Sequence, residues 1–151
     1  MAPKSSRSRS RSAARLAAVQ ALYQRDMEGT ALRPLLHEFH AHRLGEAIDG
    51  DQLIDAEMDF FDDLVVGVDA RAEDIDTAIA TNLASGWTLA RLDKPMKAIL
   101  RAGTYELLAR RDVPVGTVID EYLDVAHAFY DRKEVRFVNG LLDTIAKAAR
   151  A

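Results

Sequence analysis

The chain contains no cysteine, and its 151 residues include only 8 glycines and 4 prolines. Without cysteine there is no disulfide scaffold, no thiolate metal site and no cysteine nucleophile, and the lack fits a reducing compartment. So little glycine and proline argues against many short strands joined by tight turns. No run approaches the roughly 18 apolar residues of a membrane span. The basic N-terminus is not followed by an apolar secretory segment, so a cytoplasmic location is expected. What is present is ordinary for a globular domain: 48% hydrophobic and 29% charged residues. A single domain of this length buries roughly 68–70% of its unfolded surface, enough for a core without staples.

The net charge of −4 averages over a strong asymmetry. Residues 1–25 carry six bases and no acid, and residues 38–93 carry 14 acids against Arg43, Arg71 and Arg91. Residues 94–151 return to +2. A basic arm on an acidic globule is the charge signature of a polyanion-binding terminus, although a solvated tail has the same composition. Residues 1–12, MAPKSSRSRSRS, are low in complexity and lack large apolar side chains after Met1. Such a segment is expected to be a disordered Ser/Arg arm, with residues 13–151 forming one helical domain.

Apolar periodicity then predicts about seven helices and no strand, an all-α bundle. Leu16, Val19, Tyr23 and Met27 mark the first, from Ala13 to a stop at Gly29, with Arg11 and Arg15 on its flank. Leu32, Leu35, Leu36 and Phe39 mark a second, followed by a loop over 45–51. Phe61, Leu64, Val65 and Val68 mark a third, with Asp55 as its cap, and Ile75, Ile79 and Leu83 a fourth. Asp93 is placed to cap a fifth helix, with Pro95 in its first turn and Met96, Ile99, Leu100, Gly103 and Leu107 inward. Lys97, Arg101 and Tyr105 form a separate stripe on it. Thr117 with Asp120 resembles a capping box for a sixth helix, and Val135, Val138, Leu142 and Ile145 mark a seventh. Trp87 and Tyr122 read as core or edge-of-core aromatics.

Asn139-Gly140 is a hairpin signal lying inside this last periodic stretch. A mid-helix glycine costs about 1 kcal/mol relative to alanine, so Gly140 is expected to admit a neighbouring helix. Phe137 and Asn139 lie off the apolar stripe, where an aromatic ring and an amide can stack on a base and read its edge. His37 and His40 share a helical face, but spacing fixes no third metal ligand. Asp62-Asp63 and Asp74/Asp76 read as solvated helix faces rather than catalytic pairs. Neither a phosphate loop nor a nucleophile elbow is present.

Four segments together resemble the NusB transcription antitermination factors: AVQALYQ at 18–24, KAILRAGTYELL at 97–108, DVP at 112–114 and FVNGLLD at 137–143. The resemblance implies an all-α, compact bundle of two packed helical subdomains and no catalysis or cofactor. It implies binding of the boxA element of ribosomal RNA leaders together with NusE, a small-subunit ribosomal protein, and action on the RNA polymerase elongation complex. Carried onto matching positions, the RNA surface comprises Arg7, Arg9, Arg11, Arg15, Gln20, Tyr23, Lys97, Arg101, Phe137 and Asn139, with Tyr23 also a core candidate. Val115 and Glu121 fall on the NusE-facing side. The segment Tyr130–Glu134 departs from the small acidic loop of many relatives, and the arm is less densely basic than theirs. Monomer and homodimer both stay open. A helical protein adaptor without RNA contact is the competing reading. NusB-like modules also precede RNA methyltransferase domains, but no residue follows Ala151 in this sequence, so an enzyme is not expected.

Overall fold

A computed structural model describes residues 5–42 and 51–151. The loop expected over 45–51 lies almost wholly outside them. Seven α-helices are present among the described residues: α1 (Ser6–Glu28), α2 (Leu32–His42), α3 (Asp51–Ala70), α4 (Ala72–Asn82), α5 (Lys94–Ala109), α6 (Val115–Phe129) and α7 (Arg132–Ala149). A single 3-10 turn, Leu89–Arg91, precedes α5, and no strand occurs among the described residues. Helices α1–α3 form one packed group and α4–α7 a second, with α1 lying along α5 to join them.

The central helix is α5, in which every residue from Ala98 to Leu107 except Arg101 is buried. A helix apolar on nearly every side must be surrounded. Asp93 accepts from the Met96 N–H at 3.1 Å, and Pro95 occupies the first turn. Around it pack Phe60, Phe61, Leu64 and Val65 of α3, Val118, Tyr122 and Ala126 of α6, and Val138, Leu142 and Ile145 of α7. Phe39 of α2 stacks on Phe61 with ring centroids 5.4 Å apart.

Four local expectations change. First, α1 begins at Ser6 rather than Ala13, because the Ser5 hydroxyl caps it by accepting from the Ser8 N–H at 3.1 Å. Residues 6–12 are therefore the opening turns of a helix here rather than an unordered arm. Second, the buried face of α1 is an alanine line, Ala14, Ala17, Ala18 and Ala21, while Leu16 and Met27 stand exposed. Small side chains let α3 and α5 approach closely. Of the expected stripe Val19 is buried and Tyr23 packs on the core, joined by Leu22, while Leu16 and Met27 are not on the inner face. Third, α6 starts at Val115 after Pro114, with no side-chain cap, so Thr117 and Asp120 do not form a capping box. Fourth, a Cβ on Gly140 would meet nothing within 4 Å. The close approaches are elsewhere: a Cβ on Gly67 would come within 2.2 Å of the Tyr105 ring, and one on Gly103 within 3.2 Å of Leu142.

Candidate nucleic-acid interface

The first turns of α1 carry the basic segment. Arg7 and Arg9 are exposed, and Arg11 is half-buried with its guanidinium 4.7 Å from the Phe60 ring centroid. Arg15 and Arg110 approach the same ring, at 4.9 and 5.0 Å. Arg110 is itself neutralised, donating to Asp63 at 3.0 Å and in a fork to Asp112. Partial burial, then the charges of Arg7 and Arg110, lower the pKa of Arg11. Like charges crowded in this way favour an arriving anion.

Arg15 does not belong to that surface. Its side chain is 2% exposed. It donates through Nε and Nη2 to both oxygens of Glu106, at 2.8 and 2.9 Å, and through Nη1 to Glu121 at 3.0 Å. Burial alone would lower its pKa, but the Glu106 bonds and charge outweigh that and raise it. Spacing explains the inward turn: Arg15, Ala18 and Leu22 fall on one side of α1, and all three are buried. The same network overturns Glu121 as an open partner contact. It is buried on α6, holding Arg15 and accepting from the Ser12 hydroxyl at 2.7 Å. Val115 is half-buried against the core.

On α5, Lys97 is half-buried, but Arg101 is bound in a fork to Asp76 at 2.9 and 3.1 Å. Gln20 and Tyr23 are half-buried along α1, with Tyr23 packed on the core. The acids read as solvated are largely tethers. Asp62 meets His40 at 2.5 Å, Asp63 accepts from the Tyr105 hydroxyl at 2.7 Å, and Asp76 holds Arg101. His40 is thus committed to a carboxylate, and no group of three metal-ligating side chains occurs among the described residues. Because α1 and α5 run antiparallel, the arginine cluster lies by Arg110 while Lys97 lies at the other end of α5, about 20 Å away along the axis.

At that far end Phe137 opens into a groove of about 700 Å³, lined by Trp87, Arg91, Met96, Tyr130, Lys133 and Glu134 among others. Gly86, with φ of +89°, turns the chain so that Trp87 stands 51% exposed, where a core or edge-of-core aromatic was expected. Arg91 lies 5.3 Å from the indole centroid and donates to the Gly86 carbonyl at 2.8 Å, which fixes the ring. Across the groove the Tyr130 hydroxyl donates to Asp93. Asn139 is exposed on α7 and does not line this groove. Sequence reading found Phe137 but missed Trp87, Arg91 and Glu134. The signal available was the Trp87–Arg91 spacing, which puts a cation beside an aromatic ring once the segment coils.

A family model described as the NusB family matches residues 12–147. The transcription antitermination protein NusB of Sphingopyxis alaskensis is 63% identical over 144 residues, covering 95% of this chain and 97% of that one. That of Novosphingobium aromaticivorans is 61% identical over 142 residues, covering 94% and 96%. Among solved structures, T. maritima NusB superposes with a TM-score of 0.76 at 33% identity, covering 91% of this chain and 90% of that one. A chain from a complex of antitermination factors NusB and NusE with dsRNA gives 0.78 at 28% identity, covering 93% and 98%.

Proposed function

The chain belongs to the NusB family of transcription antitermination factors, a family without enzymatic activity, and from that membership we propose that it binds boxA-type leader RNA jointly with NusE and acts on RNA polymerase elongating through ribosomal RNA operons. The observation that carries the RNA contact is the Phe137 groove, an aromatic hollow whose rim holds Arg91, Lys133 and Arg136. Unpaired bases stack on aromatic faces while cations meet phosphates. Arg7, Arg9 and Arg11 on the opening turns of α1 serve as the phosphate-gripping extension of the single helical domain over 13–151, and Lys97 joins them from α5. These contacts position RNA without reading it. Relatives of this fold have been crystallised with NusE and RNA, which supports a shared surface. The NusE-facing side is assigned to the start of α6 around Val115, with Glu121 behind it as internal support. No helix among the described residues is long and apolar enough to cross a membrane, and we place the protein with the transcription machinery in the cytoplasm.

Gel shift of boxA-type RNA tests this with the chain alone, NusE alone and both. Weak binding by the chain is expected to tighten by about tenfold or more with NusE, the scale of a typical coupling free energy. Equal binding of boxA and scrambled RNA by the pair would defeat the boxA assignment. Firm NusE binding without any RNA shift would favour the adaptor reading.

A further inference from the structure

The turn between α5 and α6 closes an arginine onto a carboxylate two residues on. Arg110 donates through Nε and Nη2 to the two oxygens of Asp112, both at 3.0 Å. Its Nη1 donates to Asp63 on α3 at 3.0 Å, and Asp63 is held in turn by the Tyr105 hydroxyl at 2.7 Å. The guanidinium thus has an inner edge fixed to the fold and an outer fork filled by Asp112. The two carboxylates differ in exposure, 57% for the Asp112 side chain against 35% for Asp63. The backbone of the turn is pinned without help from the Asp112 side chain. The Val113 N–H donates to the Arg110 carbonyl at 3.0 Å, and Arg150 donates to the carbonyls of Arg110 and Val113 at 2.9 and 2.7 Å. Asp112 can therefore swing outward while the turn and Arg110 stay in place.

We propose that the outer fork of Arg110 is a phosphate site that Asp112 occupies as an internal stand-in, so that a polyanion gains it by displacing the Asp112 carboxylate. With RNA as that polyanion, the inference rests on the RNA-binding reading above and adds to it a contact and the group that competes for it. Carboxylate and phosphate present the same pair of oxygens to Nε and Nη2 of an arginine. The site adjoins the basic turns of α1: the guanidiniums of Arg11 and Arg110 lie 4.7 and 5.0 Å from the Phe60 ring centroid. The Arg110 bonds hold the Asp112 carboxyl down to about 2, so it is an anion at neutral pH. An exposed ion pair adds little to stability, so its opening costs little. While Asp112 stays in the fork, Arg110 adds no net charge to the basic turns, and the attraction of a polyanion is weaker than the arginines alone would give.

The full chain is titrated with labelled single-stranded RNA, followed by anisotropy, and separately with inorganic polyphosphate, which carries phosphates without bases, followed by calorimetry. Asp112→Asn is expected to bind both about three- to fivefold more tightly than the native chain, the scale of one exposed ion pair. In an Arg110→Gln background the same change is expected to give no gain. The Nε–H resonance of Arg110, followed by NMR in the native chain, is expected to shift with either probe, and it keeps the test decisive if Arg110→Gln unfolds. No tightening in Asp112→Asn, an equal gain in both backgrounds, or an Arg110 resonance unmoved at saturation overturns the masked site. An equal gain would mean that only the loss of a negative charge mattered. RNA binding alongside any of these results leaves the RNA reading standing. The expected effects with polyphosphate, while RNA goes unbound with or without NusE, uphold the site and overturn the RNA reading instead. Binding of neither probe overturns both.

Discussion

Arg15 has exchanged water for two carboxylates, and that exchange fixes its role. A buried guanidinium forked onto Glu106 and bonded to Glu121 joins α1, α5 and α6 at one point. Removing one partner from such a network leaves an uncompensated charge and costs about 3–5 kcal/mol. Arg15→Met, which keeps much of the apolar stem, is expected to lower the melting temperature by roughly 6–20 °C in a chain of this size. Calorimetry distinguishes this from a surface contact, whose loss would weaken RNA binding and leave melting unchanged. The glycines divide in a similar way. Gly140 faces open space in the free chain, so Gly140→Ala is expected to stabilise α7 by about 1 kcal/mol. Gly67 lies against Tyr105, so Gly67→Ala is expected to destabilise by roughly 1–3 kcal/mol despite the better helix former. Denaturant midpoints of the pair of variants should move in opposite directions.

Helices were legible where large side chains face inward and misread where small ones do. In α3, α5 and α7 the expected stripes are the buried ones, because Phe, Leu, Ile and Val mark the core side. In α1 the inner face is mostly alanine with Val19 and Leu22, so large side chains mark it poorly, and Arg15 lies on the buried side rather than the flank. The start of α1 was missed because a capping serine among many serines carries no distinctive signal. Its consequence is testable by truncation. Ser10 is buried, Arg11 lies on Phe60 and Ser12 bonds Glu121. Deleting residues 1–12 is therefore expected to cost about 3 kcal/mol, at roughly 1 kcal/mol for each of these three lost contacts. Deleting 1–7 is expected to stay within about 0.5 kcal/mol. Thermal melts of the two truncations compare them directly.

The joint between α3 and α5 adds a dependence on pH. Burial, then the hydrogen bond to Asp63, pushes Tyr105 up to about 12. Burial raises Tyr122 and Tyr130 as well, the latter also through its bond to Asp93. Unfolded tyrosines ionise near pH 10, so above that point the unfolded chain releases protons that the folded chain retains. Stability is thus fully present below about pH 10 and falls through about pH 12, by up to about 1.4 kcal/mol per pH unit for each such tyrosine. Melting followed from neutral to strongly alkaline pH should show this decline. Tyr105→Phe should make it shallower, and an unchanged slope would mean that the Tyr105 hydroxyl does not retain its proton.

For the whole molecule, the sequence-level charge split is correct in sign but gives an incomplete account of where cations act. Arg101 and Arg110 are bound to acids, Arg15 is interior, and the aromatic groove lies the length of α5 away from the basic turns of α1. Tertiary pairing is invisible to a count of charges, so the linear pattern exaggerated the cations open to phosphate and hid the groove that Trp87, Arg91 and Glu134 complete. On the proposed reading, RNA runs along the molecule from one cluster to the other, and its affinity divides between them. With Arg7, Arg9, Arg11, Lys97 and the groove cations Arg91, Lys133 and Arg136 as the phosphate contacts, about seven counterions are displaced. The logarithm of the association constant should then fall against the logarithm of salt concentration with a slope of about −5, at about −0.7 per phosphate for single strands. Replacing Arg7 and Arg9 together by alanine should make the slope shallower by about 1.4 and weaken all single-stranded RNAs alike. If the slope is indifferent to Arg7 and Arg9, the opening turns of α1 do not hold the RNA backbone, and the phosphate contacts are those of Lys97 and the groove cations.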